Sequence, residues 1–269
     1  MSGNGSNRST AVMARRGPSA SDAPLLRIAG GGGMSDRLPL DRPKGHTAVM
    51  AGRAPDDRAG LDYFPTPPWA ARAGGELIKR FDPAARSCWE PACGGGHMAH
   101  GLADYFEQVA LSDVHDYGVP PDGQGFPFVW DFLSTKPLPL TGVDWIVTNP
   151  PFNLAQEFVE RGLQIAGRGV AMLVRLAFLE GQKRHGLLHG ERPVSVVAPF
   201  SERVPMVKGR WDPDASSATA YAWFLWLTPA AGADLPYPML ASIPPGTKAR
   251  LSRPSDRERF SEAQPGGLL

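Results

Sequence analysis

The sequence predicts an α/β fold, with a mainly parallel seven-stranded sheet covered by helices on both faces. Three observations predict it. Seven short apolar runs alternate with helical patterns across the middle of the chain. The 269 residues are enough for one sizeable domain with a well-buried core. Glycines and acids also follow several of the apolar runs, at the strand ends where parallel sheets bind ligands.

The expected strands are Ser87–Trp89, Val109–Ser112, Phe128–Trp130, Trp145–Thr148, Val170–Leu176, Val194–Ala198 and Ala222–Leu227. Helical spacing predicts helices over Trp69–Phe81, His97–Phe106 and Leu154–Ala166. In the last of these, Ala155, Phe158, Val159, Leu163 and Ala166 share one face. The run Tyr221-Ala222-Trp223-Phe224-Leu225-Trp226 reads as sheet core rather than as a platform for bases.

Residues 1–58 are rich in Gly, Ser, Pro, Ala and Arg without any sustained period, and are expected to be disordered. Four glycines, Gly30 to Gly33, precede Met34 and resemble a translated ribosome-binding site, so Met34 or Met50 is a candidate natural start. The expected domain occupies residues 59–247, and residues 248–269 read as a flexible polar tail.

Composition excludes several classes. No apolar run approaches the roughly 20 residues of a membrane span. The first 33 residues lack the apolar segment of a signal peptide. Cys88 and Cys93, the two cysteines, fit neither a disulfide framework nor a Cys-x-x-Cys knuckle, which points to a reducing, cytoplasmic setting. His185 and His189 have helical i,i+4 spacing, but no His-Glu-x-x-His pattern accompanies them and no metal is expected. The net charge of +1 is uneven along the chain. Residues 61–167 carry thirteen Asp/Glu against six Lys/Arg, whereas 168–210 carry eight Lys/Arg against three Asp/Glu. A polyanion would dock on the second stretch.

The most specific motif is Asn149-Pro150-Pro151-Phe152, directly after the apolar run Trp145–Thr148. An amide oxygen and a proline-fixed carbonyl can converge there on one amino group, beside an aromatic ring. Methyl transfer to the exocyclic amine of a nucleobase, or to a similar planar amide, needs that combination. Taken alone, the same residues also describe a rigid turn. Upstream, Glu90-Pro91-Ala92-Cys93-Gly94-Gly95-Gly96-His97 links a strand to a helix. It lacks the Gly-Lys-Ser/Thr ending of a phosphate loop and offers a carboxylate suited to an amine. Asp113 and Asp131-Phe132 follow the second and third strands. An acid at the second position can accept from ribose hydroxyls, and one at the third can accept from an adenine amino group. Thr66, within Phe64-Pro65-Thr66-Pro67-Pro68-Trp69, can cap the following helix.

In this order, the Thr-Pro segment, Glu-Pro-Ala-Cys-Gly-Gly-Gly, Ser-Asp, Asp-Phe-Leu and Asp-Trp-Ile-Val-Thr-Asn-Pro-Pro-Phe resemble the amino-group DNA methyltransferases that use S-adenosylmethionine. The resemblance covers roughly residues 61–228 and looks most like the adenine-N6 branch, in particular its small phage- and prophage-borne members. It implies a Rossmann-like methyltransferase fold, with S-adenosylmethionine as cofactor and DNA as partner. Thr66, Glu90, Ala92, Gly94 and Gly96 would surround the methionine end of the cofactor. Asp113 would meet the ribose, and Asp131 with Phe132 the adenine. Asn149 and Pro150, followed by Pro151, would hold the target amine, and Phe152 would stack on the extruded base. The segment after the fifth strand is too short for a separate target-recognition domain. Its Lys183, Arg184, Arg192, Arg203, Lys208, Arg210 and Trp211 are the candidate nucleic-acid contacts. RNA guanine-N2 and protein glutamine methyltransferases also use Asn-Pro-Pro, so those acceptors stay open. So does a catalytically silent nucleic-acid-binding module.

Overall fold

A computed structural model describes residues 27–28, 62–119, 125–190, 192–231, 235 and 238–261. The segment expected to be disordered and the candidate starts Met34 and Met50 lie outside these residues, except Arg27–Ile28. Those two pair antiparallel with Leu140–Thr141.

The main sheet has eight strands: β1 (Ser87–Glu90), β2 (Gln108–Asp113), β3 (Gly125–Val129), β4 (Trp145–Thr148), β5 (Gly169–Arg175), β6 (Val196–Pro199), β7 (Tyr221–Leu227) and β8 (Met239–Leu240). Their order is β8-β6-β7-β5-β4-β1-β2-β3. All pairings are parallel except those of β7, which runs antiparallel to both β5 and β6. This is the Rossmann-like α/β class read from the sequence, with one strand more than expected. The addition, β8, is a two-residue edge strand with Leu240 77% exposed, too short to show any periodicity.

The six α-helices among the described residues are α1 (Pro68–Phe81), α2 (His97–Leu102), α3 (Ala155–Ile165), α4 (His185–His189), α5 (Thr247–Leu251) and α6 (Pro254–Ser261). Pro68 opens α1, where a missing N–H costs nothing, and Lys79 and Arg80 in its last turn complement the helix dipole. Pro67 occupies the N-cap and no side chain caps the helix, so Thr66 does not have the capping role open to it. The second helix ends at Leu102, four residues before its expected end. Gly101 lets it lie close against α1; a Cβ there would come within 2.5 Å of the Pro68 carbonyl oxygen. The backbone then turns, with the Tyr105 N–H donating to Leu102 O at 2.9 Å, and carries Phe106 into the core.

Strand alternation divides the core between the two faces of the sheet. Along β7, Tyr221, Trp223 and Leu225 pack with α1 and α2 on one face, while Ala222, Phe224 and Trp226 pack with α3 on the other. The aromatic run is therefore core, as expected. Trp223 is fixed further by donating its indole N–H to Ala70 O at 3.0 Å.

The flexible tail expected over 248–269 is corrected as far as Ser261, because α5 and α6 fold against α1; residues 262–269 lie outside the described residues. Arg72, buried in α1, holds them. Its guanidinium donates to both Asp256 oxygens at 2.7 Å, to the Leu251 carbonyl at 2.9 Å and to Asp104 at 2.6 Å. A buried guanidinium is tolerated only with such full pairing. Its partner in α6 lies 184 residues away, which a local reading cannot detect.

Candidate active site

Because β1, β2, β4 and β5 are parallel, their carboxyl ends open on one edge of the sheet. Glu90, Asp113, the chain leaving Thr148, and Arg175 all meet that edge. The reversed direction of β7 brings its first residue, Tyr221, there too, directly across from Arg175.

Glu90 is 2% exposed, and its Oε2 accepts no hydrogen bond from the described residues. Burial pushes its carboxyl well above the usual range; the Ala99 N–H opposes the shift and the nearby Asp113 charge adds to it. The turn that follows has Gly94 (φ 49°) and Gly96 (φ 79°) in the left-handed region, which no Cβ-bearing residue enters cheaply. The Gly94 N–H donates to Asp113 Oδ2 at 2.9 Å, and the His115 N–H to Oδ1 at 3.1 Å. Burial dominates these bonds and raises Asp113 to about 6. Asp113 thus ties the glycine turn to the end of β2 and keeps spare lone pairs for a hydroxyl donor.

Tyr63 lies over this turn. A Cβ at Gly94 would fall 2.6 Å from its ring, and one at Gly95 2.7 Å from its hydroxyl. The Tyr63 ring stacks on Tyr117 with centroids 4.9 Å apart. Thr66 is buried nearby in the chain, and Ala92 packs against the α3-side core.

The third acid departs from expectation in part. Asp131 turns its own loop, with Oδ1 accepting the Leu133 N–H at 3.0 Å. Phe132, however, is 2% exposed, edge-on to Trp89 at 5.2 Å and beside Phe158 at 5.0 Å. It is a core residue, because the apolar face between β1 and α3 attracts the ring more than an open rim does. The expected adenine contact from Phe132 is corrected accordingly, and Asp131 is left as the candidate.

At the end of β4 the Asn149 Nδ2 donates to Phe64 O at 3.1 Å, with Met206 Sδ 3.7 Å away. That bond fixes the amide plane. The opposite atom, Oδ1, is buried and accepts nothing from the described residues. Leaving such an acceptor unpaired costs about 1–3 kcal/mol. Pro150 is buried beside it, and Pro151 and Phe152 are half-buried. The Phe152 N–H donates to Asp62 Oδ2 at 2.9 Å, and its ring meets Phe64 at 4.9 Å. The Arg175 guanidinium lies 4.0 Å over the same ring. An acceptor, a rigid proline backbone and an aromatic ring therefore share one corner.

The basic residues separate into two groups. Lys208 and Arg210 belong to the loop that carries Met206 to Asn149 and whose Gly209 N–H donates to Tyr63 O at 2.8 Å. Arg203 is exposed just before this loop, and Arg210 pairs with Asp212 at 3.1 Å. Lys183 is exposed on the turn before α4. Arg184 is engaged locally, donating to the carbonyls of Phe178 and Glu180 and lying over the Phe178 ring at 4.9 Å. These bonds tie its guanidinium to the turn before α4. Trp211 is half-buried, with its ring centroid 6.1 Å from that of His97. His185 and His189 have ring centroids 5.2 Å apart on α4. Sequence reasoning missed Asp62, Tyr63, Phe64, Arg175, Met206 and Tyr221 as parts of the corner. Only Arg175 left a signal, as the single charge ending a seven-residue apolar strand.

No family model matches the chain, and no curated protein matches it. Among solved structures, it is similar to the methyltransferase subunit of a type I restriction-modification system from Streptococcus thermophilus. Identity there is 15% and the TM-score 0.46, over 61% of this chain and 44% of that one, so the match spans less than half of the subunit. It is also similar to a candidate RNA methyltransferase from Pyrococcus horikoshii, with 13% identity and a TM-score of 0.49 over 67% of this chain and 94% of that one. A third is the O-methyltransferase TomG from Streptomyces achromogenes, solved with S-adenosylmethionine, at 14% identity and a TM-score of 0.40 over 59% and 79%. At these values the similarity concerns overall shape, and a reading of the site rests on the residues themselves.

Proposed function

We propose that this chain is an S-adenosylmethionine-dependent methyltransferase whose acceptor is the N6 amino group of adenine in DNA. The observation that carries the reading is Asn149: its Nδ2 is anchored on Phe64 O while its buried Oδ1 accepts nothing. A buried acceptor held in that state is set for a donor that arrives with a ligand.

The residues fit the cofactor. Glu90 has an unpartnered buried oxygen suited to an ammonium group, the left-handed glycines keep the turn free of Cβ atoms, and Asp113 faces the same edge. When bound, S-adenosylmethionine supplies an electrophilic methyl group on a sulfonium. The protein prepares the acceptor for it. An adenine amino nitrogen is a weak nucleophile because its lone pair is delocalised into the ring. Acceptance of its two N–H bonds by Asn149 Oδ1 and the Pro150 carbonyl favours a pyramidal nitrogen with the lone pair directed outward. Positioning and electrostatics are then the protein's contribution, without a covalent intermediate. Phe152 offers a ring for the extruded base, offsetting part of the few kcal/mol that extrusion costs.

The test is incubation with methyl-labelled S-adenosylmethionine and separate DNA, RNA and protein acceptors, followed by nucleoside and peptide mass spectrometry. N6-methyladenine from DNA is the expected product. Label confined to RNA or protein overturns the acceptor, and absence of label from all three overturns the enzyme.

A further inference from the structure

We propose that Arg175 is a placeholder and phosphate clamp for the acceptor nucleotide, its guanidinium covering the Phe152 face on which the target base stacks and moving to that nucleotide's phosphate when the base enters. The inference rests on the proposed nucleic-acid reading and assigns a residue that the Asn-Pro-Pro-Phe motif does not contain.

The geometry requires something to move. A planar guanidinium 4.0 Å above the Phe152 ring fills the space that a stacked base would take. Phe64, the ring's other aromatic neighbour, is tilted 48° to it and packs against the core, while its backbone carbonyl holds the Asn149 amide at 3.1 Å. Arg175 is exposed, long and at a strand end, so it is the movable partner.

Magnitudes agree with the exchange. An exposed cation–π contact is weaker than the stacking of a nucleobase on an aromatic side chain. The base therefore wins the ring, and the freed guanidinium has a new partner in the phosphate that accompanies it, where its planar fork suits two oxygens.

Register supplies the second anchor. Arg175 and Tyr221 are direct partners across the antiparallel pair β5–β7, and the Arg175 charge opposes the burial that raises the Tyr221 hydroxyl. Tyr221 is buried, so it marks a fixed point beside Arg175 at the carboxyl edge of the sheet. Arg175 also ends the strand that opens the basic stretch 168–210, on the side where a polyanion would approach.

The experiment compares wild type with Arg175→Ala, Arg175→Lys and Arg175→Gln, using bacterial chromosomal DNA that lacks adenine methylation and labelled S-adenosylmethionine. Arg175→Ala should raise KM for DNA about tenfold, with cofactor affinity and melting temperature unchanged. The slope of log(kcat/KM) against log salt should become shallower by about 0.9, the value for one lost phosphate contact. Arg175→Lys should restore the slope, and Arg175→Gln, planar but uncharged, should not. A purely structural role would leave the slope untouched. If wild type labels DNA while Arg175→Ala keeps both KM and slope, this proposal fails and the methyltransfer reading stands. If wild type labels no DNA, the reading itself fails and this proposal falls with it.

Discussion

The two edges of the sheet treat buried polar groups in opposite ways. At the amino edge, Asp82 is 0% exposed and fully engaged, accepting the Trp145 indole N–H and the Arg168 Nε, each at 2.8 Å. Asp144 at the same edge accepts the Arg86 and Ser87 N–H groups at 2.7 and 3.0 Å. At the carboxyl edge, Glu90 Oε2, Trp130 Nε1, Thr148 Oγ1 and Asn149 Oδ1 are buried without partners among the described residues. One edge uses its polar groups to close the fold. The other keeps them in reserve, at a cost in stability, for something that is bound only part of the time.

Breaking the satisfied edge should have the largest effect. Asp82→Ala leaves Arg168 and the Trp145 N–H without their acceptor and should cost about 3–5 kcal/mol of unfolding free energy, read by chemical denaturation. A loss below about 1 kcal/mol would mean that the edge is held by packing alone. At the other edge, Asn149→Ala should lower turnover by about a hundredfold or more while leaving cofactor binding largely intact. Unchanged turnover would remove Asn149 from the mechanism.

Glu90→Gln sharpens the contrast. It should weaken S-adenosylmethionine binding by about tenfold in calorimetry, as expected when a charge-assisted bond becomes a neutral one. The fold should respond in the other direction. A carboxyl raised above its ordinary value stabilises the folded chain below that ordinary value, and this contribution is lost as pH rises through the folded one. Ligand-free wild type should therefore lose stability toward higher pH, and Glu90→Gln should reduce that loss. If the variant is less stable than wild type at pH 8, the carboxylate is serving the fold.

The smallest effect concerns Asp113, raised to about 6 by burial. Its ionised form is the better acceptor for ribose hydroxyls, so cofactor affinity should rise as pH increases through about 6. Asp113→Asn should flatten that profile, and a profile as steep as wild type would argue against the ribose role.

What could be read from sequence was local. Asn149 follows an apolar strand within a few residues, and the glycine turn joins one strand to one helix, so adjacent letters carry those features. Phe132 was misplaced because a ring next to a strand-end acid has two apolar destinations, and only the packing of Trp89 and Phe158 decides between them. Arg175 and Tyr221 met through the register of an antiparallel pair, which depends on the whole sheet. The ordering of α5 and α6 depended on Arg72, whose spacing from Asp256 exceeds any sequence window.

That last pairing bears on how the chain reaches its native state and on how it is handled. Until α6 docks, Asp256 is not in place for Arg72, and that guanidinium stays hydrated. The same helix places Phe260 flat against His97, with ring centroids 3.9 Å apart, one residue beyond Gly96. Proteolytic trimming or a shortened expression clone that removes α6 would expose a buried cation and, in the same cut, unseat the residue that starts the helix behind the glycine turn.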